Sequence, residues 1–91
     1  ELYLVNNRLG DAFVTALAAL LDEGGLAAVE KLNLQNNAIS EAGMRELAAA
    51  IARGGLPRCT GLSVRLRGNP GGDGPVHEAL ALRSGSEALL A

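Results

Sequence analysis

The stretch Leu32 to Ile39 reads LNLQNNAI and decides the fold of this chain. Leu32 and Leu34 alternate with polar residues, which is the period of a strand with one buried face. Two consecutive asparagines, Asn36 and Asn37, then interrupt the apolar pattern before Ile39. Asparagine is a poor strand residue, and its amide is costly to bury without hydrogen-bond partners. The role of Asn37 therefore has to come from a wider pattern in the chain.

That wider pattern is a repeat. A shift of 30 residues places LYLVNNRL on LNLQNNAI, so that Leu2 pairs with Leu32 and Asn7 with Asn37. A third copy, VRLRGNPG, follows at a spacing of 32 and has Gly71 where the other copies are apolar. Its equivalents of Leu32, Leu34 and Asn37 are Val64, Leu66 and Asn69. Self-similarity at a fixed period indicates a repeat architecture.

The second half of each copy changes from the strand period to the helix period. Apolar residues at i, i+3, i+4 and i+7 predict amphipathic helices. The helix positions are Val14, Leu17, Ala18 and Leu21, then Met44, Leu47, Ala48 and Ile51, then Val76, Ala79 and Leu80. In the third copy Arg83 takes the last apolar place, so we expect that helix to taper or to meet solvent. The acidic residues Asp11, Glu41 and Asp73 mark helix starts, and Gly24-Gly25 and Gly54-Gly55 mark helix ends.

These motifs resemble leucine-rich repeats of the ribonuclease-inhibitor type, in which LxLxxNxL and a helix recur roughly every 28 or 29 residues. The resemblance implies an α/β solenoid, a fragment of a horseshoe, with parallel strands on the concave face and helices on the convex face. We expect a single domain, with units at about 1–30, 31–62 and 63–91. Stacked copies would share one core, because one strand and one helix cannot cover their own apolar face.

The resemblance also implies roles for the polar residues of the motif. A structural ladder of buried amides, each bonded to backbone groups, is expected at Asn7, Asn37 and Asn69. The polar positions between the strand leucines would face the concave side, where tyrosine and arginine are typical interface anchors. The candidate partner-binding residues are Tyr3, Val5, Lys31, Asn33, Gln35, Arg65 and Arg67, with Glu1 and Ser63 beside them.

Composition excludes several other classes of function. The formal net charge of −2 gives no basic excess for binding phosphate backbones, so nucleic acid is disfavoured as a partner. No apolar run approaches the roughly 18 to 20 residues of a membrane span, because Asp22 and Glu23 end the run 16–21. The one cysteine, Cys59, forms no intrachain disulfide and no metal cluster unaided, which favours a reducing, cytoplasmic location.

Three features could suggest chemistry, but each has a simpler structural interpretation. His77 is the only histidine and falls beside a buried helix position, without a neighbouring nucleophile. Cys59 occupies the place of Val29 in the preceding copy, which indicates a small buried side chain. The glycine-rich stretch 68–74, GNPGGDG, lacks both the lysine of a nucleotide loop and the acidic set of a calcium loop, so it predicts a turn. We therefore expect no catalytic, metal or cofactor site and no enzyme activity.

Three functions remain open at this point. The leading one is a scaffold that binds a partner protein, with an acidic patch, through its concave face. The second, implied by the resemblance to Ran GTPase-activating proteins, is regulation of a small GTPase; inhibitors and NOD-like receptors are the other kinds of parent protein. The third is a structural segment that stacks between neighbouring repeats of a longer chain. Leu89 and Leu90 would either cover the far end or begin another unit.

Overall fold

Three short strands form a parallel sheet in a computed structural model that describes residues 1–61 and 63–90, with side chains described up to residue 83. The strands are β1 (Leu2–Tyr3), β2 (Leu32–Asn33) and β3 (Val64–Arg65), and they lie in the order β1-β2-β3. Leu2 is in register with Leu32, and Leu32 with Val64. The strands thus pair residues that are 30 and 32 positions apart, which are the spacings of the repeat in the sequence.

Three helices follow the strands, one after each. They are α1 (Gly10–Asp22), α2 (Glu41–Ala52) and α3 (Gly74–Leu90). The helix α1 packs against α2, and α2 packs against α3. The architecture is therefore an α/β arrangement in which each strand is followed by the helix of the same copy. In the part of the chain that the structure describes, no helix combines the length and the apolar character needed to cross a membrane.

The core lies between the sheet and the helices. Leu32 and Leu34 from β2 and its extension have no solvent-accessible surface, and they pack with the buried faces of the helices. Burying a leucine fully stabilises the fold by roughly 1.5–3 kcal/mol. The predicted helix positions supply the other side of this core, except that Ala50 is buried where Ala48 was expected, and Ala48 and Ala79 are only partly covered.

The strands are shorter than the five-residue segments that the alternation predicts. Each one ends after two residues, and the backbone then reaches a left-handed conformation at Asn6 (φ 61°), Asn36 (φ 59°) and Gly68 (φ 84°). Asparagine and glycine are the residues that adopt this conformation most easily. Hydrogen bonds between the copies nevertheless continue past the strands, because the Asn36 N–H donates to the Arg67 carbonyl at 3.0 Å.

The third copy departs from the motif at Gly71 for a steric reason. The Gly71 N–H donates to the Ile39 carbonyl at 2.8 Å, which draws the turn onto the second copy. A Cβ at this position would overlap the Ser40 carbonyl and approach the Glu41 nitrogen to 2.7 Å. Glycine is therefore required by the close approach of two backbones rather than by loss of the repeat. The predicted turn 68–74 lies here, after β3, and its last residue, Gly74, is the first residue of α3.

Candidate binding surface

The sheet presents one face to the core and the opposite face to solvent. Because successive side chains of a strand alternate, the residues between the core leucines point away from the helices. We call this solvent side the sheet face, and none of its residues is buried. Tyr3, Asn33 and Arg65 form its central row, since the strand register places them side by side. The sheet face consists of Glu1, Tyr3, Val5, Lys31, Asn33, Gln35, Ser63, Arg65 and Arg67.

One end of the sheet face is a small polar network around Tyr3, which is 60% exposed. The Tyr3 hydroxyl donates to the Glu1 carboxylate, and the Lys31 ammonium lies 3.5 Å from the same carboxylate. The hydrogen bond from Tyr3, followed by the charge of Lys31, lowers the pKa of Glu1. The same hydrogen bond raises the pKa of Tyr3. The Glu1 carboxylate therefore fixes the side chains of Tyr3 and Lys31, and the Tyr3 ring stays exposed as a contact surface.

The other end of the sheet face is basic. Arg65 and Arg67 are both exposed, and within the described residues neither has a carboxylate at ion-pair distance. At the centre, the Asn33 side-chain oxygen accepts from the Gln35 N–H at 3.1 Å, which fixes the orientation of that amide. The face thus changes from an aromatic, internally paired end to a basic end without internal partners.

One hollow indents the sheet face and a second lies along β3, and Arg65 borders both of them. The first has a volume of about 250 Å³ and is lined by Tyr3, Lys31, Leu32, Asn33, Ser63 and Arg65. The second, of about 370 Å³, is lined by Gln35, Gly61, Val64, Arg65, Leu66, Arg67, Asp73 and His77. Residues from all three strands therefore line the first hollow, and only the register of the sheet brings them together.

The asparagine ladder links consecutive copies through the turns behind the strands. Asn69 is 7% exposed, and its side-chain oxygen accepts from the N–H groups of Asn37 (2.9 Å) and Ile39 (3.2 Å). Its amide nitrogen donates to the carbonyls of Leu34 and Leu66, both at 2.8 Å. Asn37 is fully buried and repeats this arrangement one copy earlier, toward the Asn7 N–H and the Leu4 carbonyl.

Asn7 differs from the ladder that the sequence predicts. Its side chain is exposed, and only its backbone N–H takes part, by donating to the Asn37 side-chain oxygen at 2.9 Å. The cause is geometric: each ladder amide donates to a carbonyl of the preceding copy, and no described strand lies on the outer side of β1. Asn7 therefore joins the ladder through its backbone N–H and not, as the sequence predicts, through its side chain.

Cys59 and His77 occupy ordinary structural positions. The Cys59 thiol is buried and donates to the Val29 carbonyl at 3.3 Å, and burial raises its pKa, which disfavours the reactive thiolate. His77 is partly buried, with Nε2 at 3.2 Å from the Val64 carbonyl and Nδ1 at 3.6 Å from the Asp73 carboxylate. Among the described residues, no group of three or more potential metal ligands comes together.

Arg83 is the residue whose role the sequence did not show. We expected it to end the apolar stripe of α3 or to meet solvent, but its guanidinium turns inward and binds the loop after α2. It donates to the carbonyls of Gly55 and Leu56 at 2.8 Å and of Cys59 at 3.0 Å. A planar guanidinium group with five N–H donors suits such multiple donation. The signal in the sequence was the two-residue insertion before Val64, which creates a longer loop with carbonyls to satisfy.

Comparisons with protein-family models, with curated proteins and with solved structures find no significant match for this chain. The geometry of the sheet face and the repeat are therefore the features that indicate its function.

Proposed function

We propose that this chain is part of a leucine-rich repeat solenoid of the ribonuclease-inhibitor type and that its sheet face binds a partner protein. The observation that carries the proposal is the central row of Tyr3, Asn33 and Arg65, in which anchor residue types from consecutive copies stand side by side. Tyrosine and arginine provide large contact areas together with directional hydrogen bonds.

The regular spacing of the copies supports the solenoid part of the proposal. Asn37 and Asn69 each bond to the backbone of the copy before them, so every copy is positioned by its neighbour. The same arrangement supports the binding part, since a face fixed by backbone hydrogen bonds loses little conformational entropy when a partner docks. The proposal includes a cytoplasmic location, because the one cysteine, Cys59, is buried and has no second cysteine in this chain to pair with, as is typical of proteins from a reducing compartment.

The first experiment locates the binding face without knowledge of the partner. A photoreactive amino acid replaces Asn33 at the centre of the sheet face or, as a control, the exposed Ala49 on α2. Both variants are expressed in the cells that make the protein and are then irradiated. We expect one protein to crosslink through position 33 and not through position 49. Crosslinks confined to position 49 would contradict the use of the sheet face.

The second experiment measures the contribution of the anchors with the purified partner. The triple variant Tyr3→Ala, Arg65→Ala, Arg67→Ala removes one large ring and two guanidinium groups. Several anchors at about 1–2 kcal/mol each should weaken binding roughly 100-fold or more, with the circular dichroism spectrum unchanged. The matched control removes one large apolar side chain and two arginines that lie outside the sheet face, through Arg45→Ala, Arg58→Ala and Leu82→Ala.

The control triple variant is expected to keep its affinity within about threefold, because exposed ion pairs such as Arg45 with Glu41 contribute little. Equal losses in the two triple variants would mean that the sheet face is not the binding site. If the crosslinked protein is a small GTPase, hydrolysis of GTP is measured with and without this chain. Faster hydrolysis in the presence of this chain would show that the sheet face regulates the GTPase. This is the second function that the repeat resemblance implies.

A further inference from the structure

The basic groups of this protein are paired very unequally. Four of the eight lysine and arginine side chains lie near a carboxylate of a neighbouring copy or of the same helix, whereas Arg83 binds backbone carbonyls. Among the described residues, Arg8, Arg65 and Arg67 have no carboxylate at ion-pair distance, and of these three Arg65 and Arg67 lie together on β3 and its extension, on the solvent side of the sheet. The pairs with carboxylates are Lys31 with Glu1, Arg45 with Glu41, Arg53 with Asp22, and Arg58 with Glu30.

The spacing of the two arginines is set by the backbone. Residues two apart on an extended chain are about 6.6 Å apart and lie on the same face. Any other extended chain carries its own alternate side chains at the same interval. A segment that runs along β3 could therefore bring two of its side chains, also two residues apart, onto Arg65 and Arg67 at once.

The surroundings of the arginines favour anions of modest size. The hollow of about 370 Å³ beside them is also bordered by the Gln35 amide, which can donate a hydrogen bond, and by His77. Asp73 borders the hollow as well, but its carboxylate lies 3.6 Å from the His77 ring. Asp73 opposes any anion that enters deeply, so the favourable positions are at the outer, arginine side.

We propose that the sheet face recognises an extended acidic segment of its partner, in which two carboxylates separated by one residue bind Arg65 and Arg67. Each guanidinium would hold one carboxylate through paired, charge-assisted hydrogen bonds. This inference rests on the proposed function, because it names the chemistry of the partner for the same face. Charge complementarity supports it, because two arginines that have no carboxylate at ion-pair distance among the described residues occur at the interval of an extended chain.

Four short synthetic peptides test the inference by NMR titration of the purified chain, with the Arg65 and Arg67 side-chain signals as the readout. The first contains Glu-Ser-Glu within a neutral serine and glycine sequence. The second has the same charges in adjacent positions, Glu-Glu-Ser, and the third is neutral, Gln-Ser-Gln. The fourth has a single phosphoserine. We expect Glu-Ser-Glu to bind about tenfold more tightly than the neutral peptide and about threefold more tightly than Glu-Glu-Ser, with the advantage reduced by added salt.

Variants of the protein make the assignment specific. Arg65→Gln with Arg67→Gln should remove the preference for Glu-Ser-Glu, whereas Arg45→Gln with Arg58→Gln should preserve it. Asp73→Asn should strengthen binding of the acidic peptide about two- to threefold, because a repelling charge at the edge of the hollow is lost. Both double variants remove only exposed charges, so each should keep the native NMR spectrum away from the substitutions.

The outcomes separate this inference from the proposed function. Equal affinity for Glu-Ser-Glu and Gln-Ser-Gln would overturn the acidic segment, while crosslinking through position 33 would still support the sheet face. Tighter binding of the phosphoserine peptide than of Glu-Ser-Glu would overturn the pair of carboxylates in favour of one phosphate. Crosslinking through position 49 alone would overturn the proposed function itself, whatever the peptides show.

Discussion

The first and second copies carry the same motif but differ in how it is buried. In LNLQNNAI, Leu34 and Asn37 have no exposed surface. In LYLVNNRL the equivalent Leu4 is only partly buried, and the Asn7 side chain is exposed. The backbones are nonetheless alike, since Asn6 and Asn36 have φ values of 61° and 59°. The motif thus determines local conformation, whereas contact with a preceding copy determines burial, since Leu66 and Asn69 of the third copy are buried against the second.

The two asparagines of each pair have different roles. The first asparagine of each pair is exposed and supplies the left-handed turn. The second supplies an amide that joins one copy to the next, but only where a preceding copy offers a carbonyl. Local chemistry therefore forms the turn in every copy, and stacking alone makes the ladder.

The largest expected effect comes from the strand leucines. Leu34→Ala should destabilise the protein by about 2–5 kcal/mol, because a fully buried side chain leaves a cavity among packed neighbours. Leu4→Ala should cost less than about half as much, since Leu4 lies at the partly exposed edge of the core. Urea unfolding of both variants measures the difference. Equal losses would show that the first copy is as well packed as the second.

The asparagines provide the next largest contrast. Asn37→Ala should lower the free energy of unfolding by about 2–3 kcal/mol, because it leaves buried backbone groups without partners. Asn7→Ala should change it by less than about 0.5 kcal/mol, since its backbone N–H still donates to Asn37. Thermal unfolding of the two variants compares them directly. A comparable loss in Asn7→Ala would restore the side-chain role that the sequence predicted.

Arg83 tests how the third copy compensates for its longer loop. Arg83→Leu restores the apolar residue of the other copies but leaves the carbonyls of Gly55 and Leu56 without their charged donor. We expect a loss of about 1–2 kcal/mol. Arg45→Leu, on the exposed side of α2, serves as the control and should cost under about 0.5 kcal/mol. If Arg83→Leu left the free energy of unfolding unchanged or raised it, an apolar side chain on α3 would stabilise the protein at least as much as the hydrogen bonds to the loop.

The smallest expected effect concerns the contact between the first two helix starts. Asp11 accepts hydrogen bonds from the Ser40 hydroxyl and from the Ser40 N–H at 2.8 Å, and these bonds lower the pKa of Asp11 below its ordinary value near 3.8. A lowered pKa stabilises the folded state above the ordinary value, and this contribution is lost as the pH falls through the lowered pKa. Asp11→Asn should therefore lose less stability than the native protein between about pH 5 and pH 3.

Unfolding midpoints in urea at pH 7, 5, 4 and 3 measure this difference. Glu23→Gln, which replaces an exposed carboxylate after the end of α1, is the control and should follow the native protein. If the stability of the native and Asp11→Asn proteins fell in parallel with pH, the hydrogen bonds from Ser40 would not lower the pKa of Asp11.

Much of the arrangement could be predicted because it depends on periodicity. The offsets of 30 and 32 gave the strand register, and the helical spacing gave the buried faces of α1 and α2. The sequence did not show the inward turn of Arg83 or the close approach at Gly71, because both depend on where another copy lies. The length of the strands also escaped prediction: each strand has two residues, although hydrogen bonds between the copies continue to the end of the predicted segments. The part played by Leu89 and Leu90 lies outside the described side chains.

By itself, the sequence determined the backbone of each copy, because alternation, helical spacing and the first asparagine of each pair act over a few residues. Only the tertiary structure decided which asparagine amides are buried, how completely each leucine is covered, and which backbone groups Arg83 and Gly71 contact. The reason is that burial and cross-strand neighbours depend on stacking copies about 30 residues apart in the chain. A single copy contains no information about its neighbours.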